Sequence, residues 1–176
     1  MSQDQITADR LVDREKIRTL KAEYCRFLDT KQWDRLRGLF LTEATFEGFG
    51  SAPTGSTADQ FIAGASARLQ EALTVHHCHM AEIAFDRSAP DRARAVWAMV
   101  DVVEFLDGRE PVEAPGHRGF TGFGHYEDEY RRVEGRWYFA RKRLSRIRID
   151  PIPNDQVPAL TNRLKAHADW IGFAQD

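Results

Sequence analysis

The chain has 176 residues, with 25 Lys and Arg against 27 Asp and Glu and a pI near 6.3. That balance leaves no one-signed field to attract a nucleic-acid backbone or an anionic membrane, and no apolar run approaches the roughly 18 residues of a membrane span. Hydrophobic residues make up 42%, and the two cysteines form neither a disulfide framework nor a CxxC metal motif. Composition therefore predicts one globular domain over 1–176, with its core at about 7–150 and an extension over 151–176. The polar N-terminus lacks the features of a signal peptide, so a cytoplasmic, reducing location is expected.

Ile17, Leu20, Tyr24, Phe27 and Leu28 recur at three- and four-residue intervals, the pattern of one buried helical stripe. Asp29 and Thr30 interrupt it. Trp33, Leu36, Leu39 and Phe40 resume it as a short second helix behind an Asp or Thr cap. Thr45 to Phe49 reads as a short strand, and Gly48, Gly50, Pro53 and Gly55 mark a loop. Thr57-x-x-Gln60 is a capping box opening a third helix through Phe61, Ile62, Ala65 and Leu69. From Thr74 the period changes to two, predicting strands over 75–85, 92–106, 118–133 and 136–149 joined by short turns into an antiparallel meander. Pro111 and Pro115 make the link after Gly108 a loop. Pro151, Pro153 and Pro158 end the sheet before an amphipathic helix carrying Leu160, Leu164, Trp170 and Ile171. The order is α+β: N-terminal helices packed on a strongly curved antiparallel sheet to close a cone, followed by a C-terminal helix. The open end of such a cone is the expected small-molecule pocket.

Three of the six histidines and one cysteine lie consecutively in His76-His77-Cys78-His79, which raises metal binding and proton transfer together. A regular strand places His77 and His79 with Ile83 and Phe85 on one face, and His76 with Cys78 on the other. His77-x-His79 is a possible metal pair, but zinc needs about three protein ligands and no second paired motif exists. The alternative is one histidine acting as general base against a carboxylate.

Strand parity singles out Asp101, which shares a face with Ala93, Ala95, Trp97, Met99 and Val103; a buried carboxylate needs a partner unless a bulge turns it outward. Arg146, in parity with Tyr138, Ala140 and Leu144, is a candidate partner or a solvated arginine. Arg141-Lys142-Arg143 reads as a solvated outer face. Asp29 reads locally as a cap for the second helix, and Tyr24 as core.

Taken together, 17–36 with Tyr24, Asp29 and Trp33, His76 followed by Glu82-Ile83, Trp97 with Asp101, the run His125 to Tyr130, Gly135-Arg-Trp137-Tyr138 and Arg146-Ile147 resemble the SnoaL-like branch of the nuclear transport factor 2-like superfamily. The resemblance is nearest to the bile acid 7-alpha-dehydratase type. It implies a cone fold, a homo-oligomer (trimer or dimer), and His76, Asp29, Tyr24, Arg146 and Asp101 as catalytic positions. The Asp and His pair also resembles that of scytalone dehydratases and hexachlorocyclohexane dehydrochlorinases. Trp97, His125, Tyr126 and Phe40 fall where substrate contacts are implied. The implied activity is a cofactor-independent, metal-free dehydratase acting on a small hydrophobic cyclic, steroid-like or polycyclic substrate. An isomerase or polyketide-type cyclase using the same pair, or a non-catalytic binding module, are the alternatives.

Overall fold

A computed structural model describes residues 7–155. Its elements are α1 (Ala8–Asp29), α2 (Trp33–Arg37), β1 (Phe40–Glu47), β2 (Ser56–Thr57), α3 (Ala58–Leu69), β3 (Ala72–Phe85), β4 (Arg92–Phe105), β5 (Gly119–Val133) and β6 (Arg136–Ile152). The helix expected at Leu160, Leu164, Trp170 and Ile171 lies outside the described residues. No described helix is long and apolar enough to cross a membrane.

The stripe of α1 buries Ile17, Leu20, Tyr24, Phe27 and Leu28, and the helix packs on β3 and β6. The capping box forms as expected: the Thr57 hydroxyl accepts the Gln60 N–H while Gln60 Oε1 accepts the Thr57 N–H at 2.9 Å. Satisfying two orphan donors reciprocally fixes where α3 begins. Helix α2 starts differently from expectation. Its N-cap is Gln32, with no side-chain hydrogen bond, so neither Asp29 nor Thr30 caps it. Phe40 leaves the helical stripe to begin β1.

The sheet order is β2-β1-β6-β5-β4-β3. Strands β3 to β6 form the expected antiparallel meander, but β1 joins β6 in parallel. The curved sheet is therefore mixed rather than antiparallel. Hairpin turns announce the direction of neighbouring strands, whereas β1 and β6 are separated by α3 and the rest of the meander, so no local signal sets their sense. Strand β6 also continues through Pro151, which registers with Phe120. Pairing with β1 extends only to Arg143, so proline's missing donor falls on an unpaired edge.

The meander has three slips in register, one of them at Ile147 just past Arg146, and the other two decide which candidate side chains enter the cone. On β3 the ladder passes from Cys78↔Met99 to Ala81↔Trp97, one residue more on β3 than on β4. On β6 it passes from Phe139↔Tyr130 to Arg141↔Glu129, with Ala140 the extra residue. Each bulge inverts strand parity beyond it. Inside, Phe46 and Phe61 stack at 4.1 Å while Tyr24 and Phe139 meet edge to face at 5.7 Å. Aromatic packing of this kind gives the floor of the cone a fixed shape.

Candidate active site

The bulge in β3 turns His76 inward. Thr74, His76 and then, past the slip, Ile83 are buried, whereas His77 and His79 are exposed. A regular strand would have put His77 and His79 beside Ile83; the extra residue reverses that assignment. His77-x-His79 thus lies on the outside. Among the described residues no group of three or more His, Cys, Asp or Glu is placed to hold a metal ion.

Asp29 anchors His76 twice. It is the last residue of α1, where a carboxylate faces the negative end of the helix dipole, so its position does not serve the helix. Oδ2 accepts the His76 backbone N–H at 2.8 Å, and Oδ1 lies 2.6 Å from His76 Nδ1. The backbone bond is possible because β3 is the sheet's edge. With its proton on Nδ1 toward Asp29, the ring presents Nε2 as an acceptor to the interior.

Nε2 looks toward Asp101, whose Oδ2 is 4.0 Å away. Asp101 is 2% exposed, and its inward position follows the parity read from β4. A buried carboxylate requires compensation, and Arg146 supplies it with a two-pronged contact: Nη2 donates to Oδ2 at 2.7 Å, and Nη1 donates to Oδ1. Arg146 faces inward in company with Lys142 and Leu144, not with Tyr138 and Ala140, because the Ala140 bulge separates the two sets. Gly122, between them on β5, leaves the room. A Cβ there would collide with the Arg146 guanidinium and the Asp101 carboxylate. The Arg146 guanidinium also lies 5.1 Å over the Phe120 ring.

These groups meet at a cavity of about 40 Å³, lined by Tyr24, His76, Asp101, Tyr126 and Arg146 among apolar residues such as Leu28, Phe61 and Phe120. Burial holds the phenols of Tyr24 and Tyr126 protonated far above ordinary pH, so each is a hydrogen-bond donor rather than a base. Across the mouth, Arg68 of α3 pairs with Glu113 of the loop preceding β5.

The remaining predicted residues lie elsewhere. Asp29 stands behind His76 and does not line the cavity. Trp97 is buried and donates its indole N–H to the Tyr130 hydroxyl at 3.0 Å. Phe40 belongs to the aromatic floor, 6.2 Å from Tyr24. His125 alternates with the buried Gly124 and Tyr126 and so falls on the other face of β5.

Beneath Tyr24 lies a group that composition had hidden. Lys21 Nζ is 2.7 Å from Asp128 Oδ2 and Lys142 Nζ 2.8 Å from Asp128 Oδ1, all three essentially without exposure. Tyr130 donates to the same carboxylate at 3.0 Å, and the two ammonium groups sit over the rings of Tyr126 and Tyr24 at 3.7 and 4.0 Å. Two lysines sharing one buried carboxylate cannot both stay charged cheaply. Burial, with Lys21 adding to it and Asp128 opposing, lowers Lys142 to about 7, while Asp128 holds Lys21 protonated against its desolvation. The outer-face reading of 141–143 thus fails at its centre. Alternation with Leu144 and Arg146 was the available signal, masked by two flanking arginines.

The fold and site together define a cone-shaped α+β protein with a histidine–aspartate pair at its pocket. Residues 9–143 match the family model of the SnoaL-like domain, and the chain belongs to that family. It is 30% identical over 141 residues to a probable cyclase of Gibberella zeae, a match spanning 74% of this chain and 89% of that one. The fold is shared with a type 2 hexachlorocyclohexane dehydrochlorinase at a TM-score of 0.70 and 18% identity, covering 86% of this chain and 96% of the other. The type 3 dehydrochlorinase of Novosphingobium barchaimii LL02 aligns at 0.67 and 16% identity, over 86% and 98%.

Proposed function

We propose that this protein is a cofactor-independent lyase that removes water from a hydroxylated, cyclic, largely apolar ketone. The observation that carries the proposal is the double anchoring of His76 on Asp29, which directs Nδ1 to the carboxylate and leaves Nε2 to accept a proton at a cavity whose lining combines aromatic and aliphatic side chains with Asp101 and Arg146. Nε2 takes the proton from the carbon next to the carbonyl. The C–H electrons become the new C=C bond, and the hydroxyl on the adjoining carbon departs with its bonding pair and takes the proton from the His76 imidazolium, leaving as water and restoring the base. Asp29 stabilises the imidazolium that forms, as Asp101 does from 4.0 Å on the other side. Tyr24, protonated throughout, donates a hydrogen bond to the departing oxygen or the carbonyl. Arg146, held by Asp101, offsets negative charge as it develops.

Two structural relatives are named dehydrochlorinases, and loss of hydrogen chloride is, like loss of water, an elimination, which supports the class. The probable cyclase supports a second reading in which the same base makes a carbanion that closes a ring instead of expelling hydroxide. Tyr24, Phe49, Phe61, Phe120 and Tyr126 in the lining supply aromatic surface for a cyclic substrate in either case. Ligands of that size occupy several hundred Å³, so 40 Å³ requires the mouth at Gly50, Ser51 and Glu113 to open for entry.

The test offers cyclic β-hydroxyketones to the enzyme in deuterated water and follows both products. Appearance of conjugated alkene absorbance, lost in His76→Ala, supports elimination. Ring closure or deuterium uptake without alkene supports the cyclase or isomerase reading. Turnover unchanged in His76→Ala refutes both.

A further inference from the structure

The two cysteines, 53 residues apart in the chain, lie with sulfurs 3.5 Å from each other, and both are free thiols. Cys25 follows Tyr24 on α1; Cys78 follows His76 by two residues on the same inward face of β3. We propose that Cys25 and Cys78 form a peroxide-responsive dithiol that closes reversibly to an intramolecular disulfide bridging α1 and β3.

Three observations converge. First, the sulfurs need to approach by only about 1.5 Å to reach the roughly 2.05 Å of a disulfide, a movement within reach of side-chain rotation. Second, their surroundings are cationic. At Cys78 the hydrogen bond from Cys25 acts first, and against the effect of burial the Lys21 ammonium, joined by Lys142 when it is protonated, favours negative charge there, so the Cys78 thiol is lowered to about 7. That same bond and burial push the Cys25 thiol up. The pair thus divides into a thiolate nucleophile and a retained thiol, the asymmetry that peroxide-reactive cysteine pairs require. Third, a route exists. Cys25 and Cys78 line an open groove of about 1120 Å³ between α1 and β3, together with Arg18, Arg26 and Met80. Cys78 is the more accessible, Cys25 being only 9% exposed.

The chemistry balances with a hydroperoxide as oxidant. The Cys78 thiolate attacks the terminal peroxide oxygen, the O–O bond breaks, and hydroxide or alkoxide leaves, giving the sulfenic acid. Cys25 sulfur then attacks Cys78 sulfur, the S–O bond breaks, and the thiol proton departs with the oxygen as water. Two thiols lose two electrons together, and the peroxide is reduced.

The experiment treats the full-length protein with stoichiometric hydrogen peroxide, quenches it by alkylation in denaturant, and measures intact mass and peptide maps without reductant. The expected result is loss of two hydrogens, a single linked peptide pair containing Cys25 and Cys78, and full return of both thiols on adding dithiothreitol. In Cys25→Ser the disulfide cannot form, and a dimedone adduct accumulates on Cys78; in Cys78→Ser peroxide leaves Cys25 alkylatable. Two alkylatable thiols after peroxide treatment of the wild-type protein would overturn the proposal. So would cysteine linked between chains, or sulfinic acid on Cys78 in place of the disulfide. The wild-type measurement stands alone if either variant folds poorly.

Discussion

Replacing Asp29 by Asn tests the central pair without changing its shape. The carboxylate now accepts two hydrogen bonds from His76, one from the fixed backbone N–H and one from the ring. An amide offers one acceptor and one donor. If its oxygen keeps the backbone N–H, its NH₂ meets Nδ1 and forces the ring proton onto Nε2, where no base remains. Flipping the amide restores the tautomer but leaves the backbone N–H without an acceptor, at a cost of about 1–3 kcal/mol, so only about one molecule in 5 to 150 retains a competent ring. Exchanging the charge for a neutral partner removes a further ~1.5–3 kcal/mol of imidazolium stabilisation. At 1.36 kcal/mol per factor of ten, the two effects multiply to a fall in kcat of about 10²–10⁴-fold. The assay is steady-state kcat on a substrate found by the deuterated-water screen, with far-UV circular dichroism confirming the fold. A kcat within tenfold of wild type would refute the tautomer argument and leave Asp29 a structural tether.

Arg146→Met should strand the Asp101 carboxylate, 2% exposed, and lower stability by about 3–5 kcal/mol in urea unfolding, with Asp101→Asn in the same chain recovering at least half; no recovery would disprove the pairing energetics. Lys142 gives a pH signature. Its folded value near 7 lies below the ordinary 10.5, so between those values the unfolded chain binds more protons, and stability rises with pH from about 7 toward 10. Cys78 and Lys31, lowered to about 7 and about 8, act in the same sense, while the raised phenols reverse the trend above about 10. Lys142→Met should flatten the rise in Tm between pH 7 and 9; an unaltered slope would show that Lys142 stays charged. Glu113→Gln weakens the bridge to Arg68 across the mouth and should speed ligand association by up to about fivefold, near 1 kcal/mol, in stopped-flow binding; no change in rate would separate the bridge from entry.

The secondary structure was legible where the sequence carries a local, redundant signal. The stripe of α1, the reciprocal cap at Thr57 and Gln60, and four strands separated by turn residues each depend on neighbours a few positions apart. The inward direction of Asp101 was legible too, because β4 runs from Arg92 to Phe105 without a slip in its pairing with β5. Arg146 pointed inward as expected but for a different reason, its parity with Tyr138 having been broken at Ala140. The carboxylate of Asp29 looked like a helix cap since sequence shows only the three residues that follow it, not the strand edge 47 residues away that it bonds.

The sequence by itself therefore determined the three described helices, the meander, the α+β order and the inward direction of Asp101, all consequences of period and propensity. Tertiary structure alone decided the parallel entry of β1 and the bulge that selects His76 over His77 and His79. It also decided the burial of Lys142 beside Lys21 and Asp128, and the meeting of Cys25 with Cys78. The sense of β1 and the contact between the cysteines depend on elements far apart in the chain, and the other two depend on bulges. One extra residue inverts every side chain beyond it, and which strand carries that residue is set by packing against distant elements rather than by any pattern along the chain.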